Sequence, residues 1–454
     1  MVTMRTLIAV VLCLLVTASV SAEDRALIER GYQLLLTKPY LTPDFDDEVF
    51  GELWKAWEEP LRSQAEQASP SERRRLAYQR YGLTPRLPDE PQADTRPRQY
   101  VDDGRGGWVM NCLACHGGKV AGQIVPGTPN TLYDLQTLTE DVRLTKLRLG
   151  KTLTHMDKGS FLYPLSHSIG TTNAVMFGTI LLTYRDPDLT FQRDRQLPML
   201  VHHDHDAPAW WHYHRKTRLY SDGFAPKSHR ALLQFLLIPK NGPDKFRDWE
   251  DDYRAIGAWI DSLRPPKYLG PIDQPLATEG RVVFEQNCAK CHGTYGEQAS
   301  WPEKIVPIDD VATDRARLDS LAGDGRKRWG TSWFAYFGET PTINDPGGYV
   351  APPLDGIWAS APYLHNGAVP TLWHLLHPDD RPVVWKRSED GYDHARVGLE
   401  VTTFDSIPGE VVDARQKRRY FNTRLFGKSA AGHDYPAALD EPAKRALLEY
   451  LKTL

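Results

Sequence analysis

Apolar residues along this chain recur mostly at helical spacing, and the clearest such runs close two successive units. Tyr253, Ile256, Trp259, Ile260 and Leu263 fall three and four residues apart over residues 249–263, which places them on one side of an α-helix. Pro265 and Pro266 follow, and neither can continue a helix. Leu447, Leu448, Leu451 and Leu454 line one face of a second such stretch over residues 442–454. Between the two, residues 264–275 are rich in Pro and Gly and read as a linker, with a boundary near residue 270. Residues 280–287 then form a short helix leading to Cys288. Upstream, helical patterns occupy residues 27–36 and 49–61, followed by a polar, Pro-rich stretch over 84–98. Strand and helix patterns do not alternate, so the expected class is mainly α with long loops.

The first residues have a different character. Arg5 precedes an apolar run from Leu7 to Val20, and Val20-Ser21-Ala22 has the small-residue form of a secretory cleavage site. An apolar core of roughly 14 residues falls short of the ~20 that span a bilayer, so residues 1–22 read as a signal peptide with Glu23 as the mature start. The protein is then periplasmic or secreted, with no transmembrane segment in the mature chain. The remainder divides into a helical N-terminal extension (23–100) and two domains (101–268 and 269–454). A formal net charge of −4 on 454 residues gives no basic footprint for nucleic acid.

Cysteine usage changes the picture most. Cys13 leaves with the leader, and the other four form two pairs, Cys112/Cys115 and Cys288/Cys291, each followed directly by a histidine, His116 and His292. An exported protein ordinarily joins its cysteines in disulfides. Here the C-x-x-C-H pattern occurs twice, and it is the pattern of haem attachment: two thiols three residues apart reach the two vinyl groups, and the next residue sets an imidazole under the iron. A thioredoxin-type redox pair expects a strand-to-helix setting, and half a zinc site expects further ligands nearby. The expected architecture is two cytochrome c-like haem domains, with two covalently bound haem c groups whose iron is held by His116 and His292.

The sixth ligand of each iron decides function, because a closed iron carries electrons and an open one reacts with oxygen or peroxide. Beyond the leader the methionines are Met110, Met156, Met176 and Met199, and none follows Cys291. The second haem therefore lacks a methionine from its own domain, and His433 in Gly432-His433-Asp434 is its candidate distal ligand, with His365 as the alternative. For the first haem Met176 lies in an apolar helix and reads as core, while Met156 and Met199 stay open. The stretch ahead of its closing helix offers Phe224, His229 and Phe235: a phenylalanine would leave the iron open, His229 would close it. His202, His203, Asp204 and His205, with His212 and His214, form either a metal site or a polar loop. Trp108, Trp210 and Trp211 are candidates for an aromatic between the haems, among 13 tryptophans.

One further stretch carries a resemblance. Ala351-Pro352-Pro353-Leu354-Asp355-Gly356-Ile357-Trp358, followed by Ala361-Pro362-Tyr363-Leu364-His365-Asn366-Gly367, resembles a signature of the bacterial di-haem cytochrome c peroxidase superfamily. Asn111-Cys112, the Pro-Tyr-Leu-His-Asn-Gly segment and Gly432-His433 make the chain most similar to its rubber oxygenase branch. The resemblance implies one open or weakly closed haem where peroxide or dioxygen reacts, covered by a phenylalanine that looks like Phe224 or Phe235. It implies a second, six-coordinate haem that passes or stores electrons, with His433 as distal ligand; the segment over residues 363–367 itself reads as a tight turn, which would make His365 a hydrogen-bonding support. The chain departs from the peroxidases in having no methionine for its electron-accepting haem, and is shorter than the oxygenases. The reaction partners are then a redox protein or a small-molecule oxidant; the competing class is an electron carrier with both irons six-coordinate.

Overall fold

A computed structural model of the chain describes residues 21–197, 201–321 and 324–454. Most of the leader and Met199 lie outside the described residues. Helix accounts for 43% of the structure and strand for 12%, so the fold is less exclusively helical than the apolar spacing predicts.

Two helix pairs organise the molecule. In the second unit the helix Gln274–Asn287, capped by Asp273, crosses the closing helix Glu441–Leu451, capped by Asp440. The contact is backbone to backbone: a Cβ at Gly280 would lie 1.9 Å from the carbonyl oxygen of Ala446. Only glycine allows that approach. Phe284 and Tyr450, with ring centroids 5.3 Å apart, close the crossing on one side. The first unit repeats the device with the N-terminal helix Ala22–Thr37 and the closing helix Glu250–Ser262. There a Cβ at Gly31 would lie 2.0 Å from the carbonyl oxygen of Ala255, and Tyr32 stacks on Trp259 at 4.9 Å. The opening helix of the proposed extension thus packs on the first closing helix as Gln274–Asn287 packs on the second.

Between Ala22–Thr37 and Cys112 the chain makes a long excursion with its own core. Phe45, Val49, Leu53, Trp57, Leu76, Tyr81, Tyr100 and Trp108 bury one another and close over Ala114 and Cys115. A three-stranded antiparallel sheet sits in this layer, with Gly107–Met110 between Phe45–Asp46 and Tyr100–Asp102. The predicted helix over 49–61 is broken: Asp47–Glu52 is α-helix, Leu53–Ala56 tightens to 3-10, and a new helix starts at Leu61. The second unit carries a long hairpin, Val384–Asp393 paired with Gly398–Phe404, which shifts register between Arg387 and Tyr392. Its Trp385 stacks on Phe421 at 4.9 Å, and Asp390 reaches back to Lys119 of the first unit at 3.6 Å. No helix among the described residues is long and apolar enough to cross a membrane.

Replacing Gly280 or Gly31 with leucine is expected to cost at least about 3 kcal/mol, the upper range for overpacking a filled contact, read as a fall in the urea unfolding midpoint. Gly51 is the control. Its added Cβ would meet nothing within 4 Å inside the helix Asp47–Glu52, so Gly51→Ala is expected to leave the stability unchanged or raise it by up to about 1 kcal/mol.

Candidate functional site

Each C-x-x-C-H motif forms a single helical turn, Leu113–His116 and Ala289–His292. In the second unit this turn continues directly from Gln274–Asn287. In the first it is pinned by Asn111, whose Nδ2 donates to the carbonyls of Leu35 and Arg98, both at 2.9 Å, while its Oδ1 accepts from Leu113 N. The four cysteines carry no disulfide. Burial pushes the thiols of Cys112 and Cys288 up to about 11 and that of Cys115 up to about 12. A redox-active pair needs a lowered thiol pKa, so these sites suit thioether attachment rather than disulfide exchange.

Both motif histidines are prepared in the same way. His116 Nδ1 lies 3.1 Å from the carbonyl oxygen of Pro208, and His292 Nδ1 lies 2.9 Å from that of Pro352. A carbonyl only accepts, so Nδ1 carries the proton in each ring and Nε2 keeps a free lone pair for a metal. Burial holds both rings neutral, pushing His116 down to about 3 and His292 below its ordinary value, against the raising effect of these hydrogen bonds.

The two rings differ in what faces them. His433 stands against His292 with ring centroids 6.1 Å apart and planes at 66°. Two imidazoles sharing one metal at bond lengths of about 2 Å have centroids roughly 6 Å apart, so His292 and His433 are the residues that would hold one iron between them. His433 is held at positive φ, +53°, after Gly432 at +80°. Its N–H donates to Val311 O at 2.7 Å, and Arg381 donates to the carbonyls of Ala430 at 2.6 Å and Gly432 at 2.7 Å. Burial, then the neighbouring His292 and Arg381, push His433 down to about 3. Its Nδ1 is buried without a hydrogen-bond partner. His365, the alternative ligand, instead stacks on Tyr349 at 4.1 Å.

Among the described residues the ring partner of His116 is Trp210, stacked at 4.3 Å and 18°. Of the three candidates for its distal side, Phe224 is buried in the core that also holds Cys112, Leu113 and Trp210. Phe235 is 40% exposed. His229 is turned to an ion-pair cluster, with Nε2 3.1 Å from Glu250 Oε1, which engages the nitrogen a metal would need. Met176 is buried at 2% exposure on the helix Ala174–Thr183.

Trp210 and Trp211 split between the two cores. Trp210 packs with the first unit; Trp211 is buried in the second, where its Nε1 donates to Asp355 O at 2.9 Å. Trp108 belongs to the excursion, stacked on Phe50 at 4.2 Å. The histidine-rich segment comes apart: His212 bonds Asp355 O and His214 bonds Trp211 O. His202 and Asp204 meet His167 instead, with ligand atoms within 4.8 Å of one another. Sequence reading missed His167, which lies outside the histidine run. It also missed Lys428, fully buried against Asp204 at 2.6 Å.

Residues 348–386 match the model of the RoxA-like, cytochrome c-like family. This segment includes Pro352, whose carbonyl takes His292 Nδ1. The chain is 30% identical over 289 residues to the uncharacterized protein y4iM of Sinorhizobium fredii (strain NBRC 101917 / NGR234), covering 55% of this chain and 64% of that protein. It is 30% identical over 258 residues to the uncharacterized protein y4iJ of the same strain, covering 42% and 41%. The chain spans less than two thirds of either relative. Over residues 348–386 the chain is thus similar to a cytochrome c-like family, a class that binds haem c covalently.

Arg381 is 5% exposed at its side chain, and Arg381→Met leaves the Ala430 and Gly432 carbonyls without their charged donor. A loss of about 1.5–3 kcal/mol is expected, measured by urea unfolding of the holoprotein.

Proposed function

We propose that the chain is an exported di-haem c-type cytochrome oxidoreductase, in which the first haem, at Cys112, Cys115 and His116, activates a small oxidant and the second, at Cys288, Cys291 and His292, transfers electrons. The observation that carries this reading is the contrast between the two imidazoles: His292 has His433 opposite it at 6.1 Å, whereas among the described residues no imidazole stands opposite His116, whose ring partner Trp210 lies flat on its face. Haem iron with a free sixth position binds dioxygen or peroxide, and iron closed by two imidazoles exchanges electrons at a lowered potential. Phe224 covers the first iron without ligating it, and Phe235 and His229 stand outside that role.

The surrounding residues support this division. Trp210 lies on His116, and its neighbour Trp211 reaches the segment whose Pro352 holds His292, so two adjacent side chains join the two centres. The motif turns also differ in access. Leu113 and Ala114 are buried at 0% and 3%, while Lys290 of the second motif is exposed. A protein partner therefore meets the second centre. His116 donates to a carbonyl rather than a carboxylate, and a neutral carbonyl raises the basicity of a ligating imidazole less than a carboxylate does. That weaker push favours dioxygen as the oxidant over cleavage of peroxide.

An alkaline pyridine assay is expected to give two haems per chain, falling to one when Cys112 and Cys115, or Cys288 and Cys291, are replaced by alanine. Spectra of the oxidised protein are expected to contain one high-spin and one low-spin signal, and His433→Ala is expected to convert the low-spin signal. Oxygen uptake with an oxidisable hydrocarbon is expected to exceed peroxide turnover with a reduced cytochrome. Two low-spin signals and indifference to both oxidants would falsify the enzymatic reading in favour of an electron carrier.

A further inference from the structure

The turn that presents Phe224 is built into the other half of the molecule. Tyr220 stacks on Phe224 with centroids 4.8 Å apart and planes at 17°, and Trp329 meets it edge-on at 5.5 Å. Ile343 N donates to Phe224 O at 2.9 Å and Val350 N to Ser221 O at 2.7 Å. Gly223, at φ +65°, is wedged so that an added Cβ would come within 2.7 Å of the Val350 side chain. Trp329, Ile343 and Val350 all follow the second motif in sequence.

At the centre of this turn sits a charge that nothing described so far uses. Asp222 is 0% exposed and lies between two guanidiniums from the second half, Arg317 Nη2 at 3.1 Å and Arg326 Nη2 at 2.8 Å. Arg317 lies over the Tyr220 ring at 5.8 Å and Arg326 over Phe224 at 6.0 Å. A buried carboxylate between two buried guanidiniums is expensive to assemble and costly to break. Such a group fixes geometry more surely than it adds stability. Moreover, Arg317 follows closely on Val311, whose carbonyl seats His433 N at 2.7 Å. Asp314 secures the intervening stretch, accepting from Ser429 N at 3.1 Å through its carboxylate and from Tyr349 OH at 2.9 Å through its carbonyl.

We propose that Arg317 is a positioning residue for the distal face of the first haem, acting through Asp222 to hold the Tyr220–Phe224 pair over the iron. The role rests on the reading of Phe224 as the cover of that haem. Because Val311–Arg317 also seats His433, one short stretch sets the distal geometry of both centres. Arg317 belongs to the half that carries the second motif, so the first distal pocket is complete only when the two halves are docked.

The test is the association rate of cyanide with the oxidised holoprotein, followed at the high-spin signal, with the low-spin signal as internal control. Phe224→Ala removes the cover, and Arg317→Gln removes its clamp while leaving Asp222 paired with Arg326. Both are expected to speed association about tenfold, on the low side of what misplacement of a positioned group costs. Arg317→Lys keeps the charge without the planar fork and is expected to fall between parent and Gln variant, with the low-spin signal unchanged in all three. If Arg317→Gln or, should that variant fail to fold, Arg317→Lys binds cyanide at the parent rate while Phe224→Ala is faster, the clamp is refuted and the cover stands. If Phe224→Ala itself keeps the parent rate, the reading of the cover fails and the role of Arg317 with it.

Discussion

The close approach of a glycine to the backbone of a crossing helix is the constraint on which both units rest. At Gly280 and Gly31 the neighbouring carbonyl occupies the space of a Cβ, so the two helices of each pair have a single spacing available. In the second unit the first motif cysteine follows the glycine-bearing helix directly, and the crossing therefore fixes the attachment site as well. In the first unit a long excursion separates Ala22–Thr37 from Cys112. Asn111 restores the connection without covalent continuity, since its amide bonds the carbonyl of Leu35 near the end of that helix. Loss of this one side chain would free the motif from the crossing that positions it, because buried amide hydrogen bonds of this kind have no water to replace them.

From that frame the two halves are interlocked rather than apposed. Trp210 and Trp211 are consecutive, yet each belongs to a different core. Trp329, Trp333 and Phe334, which follow the second motif, pack into the first core. The hairpin Val384–Phe404 and the buried pair Lys428–Asp204 add further ties between distant parts of the chain. The two cores thus draw residues from both halves of the chain. This arrangement resists relative movement of the two motif turns, because protein interiors are close-packed and of low compressibility.

How much of this is legible in the sequence depends on whether a feature is local. The closing helices and the motif turns were readable because spacing alone encodes them: Tyr253 to Leu263 and Leu447 to Leu451 lie on helix faces, and C-x-x-C-H is a contiguous pattern. His433 stood out because no methionine follows Cys291. The hairpin was missed although Gly398–Phe404 alternates and contains Val401, Thr402 and Thr403, since the helical reading of the whole chain masked a short period-two run. The pairing of Ala22–Thr37 with Glu250–Ser262 was not visible, because the glycine that permits it looks like any glycine in a helix. His167 and Asp222 were likewise invisible: their partners, His202 and Arg317, are distant in sequence, and nothing about either residue alone announces the cluster it joins.

The excursion over residues 38–110 explains the asymmetry between two motifs that are otherwise built alike. Its aromatic core closes over Ala114 and Cys115, so the residues between the first pair of cysteines face protein. The residues between the second pair face outward, with Lys290 exposed and Ala289 half-buried. Haem attached through such cysteines presents its thioether edge wherever those intervening residues point. The first motif is consequently covered by protein on the side that its intervening residues face. The second has His433 facing His292 and is exposed at Lys290. The excursion thereby makes the two motif turns unequal in what can approach them, although their local sequences are alike.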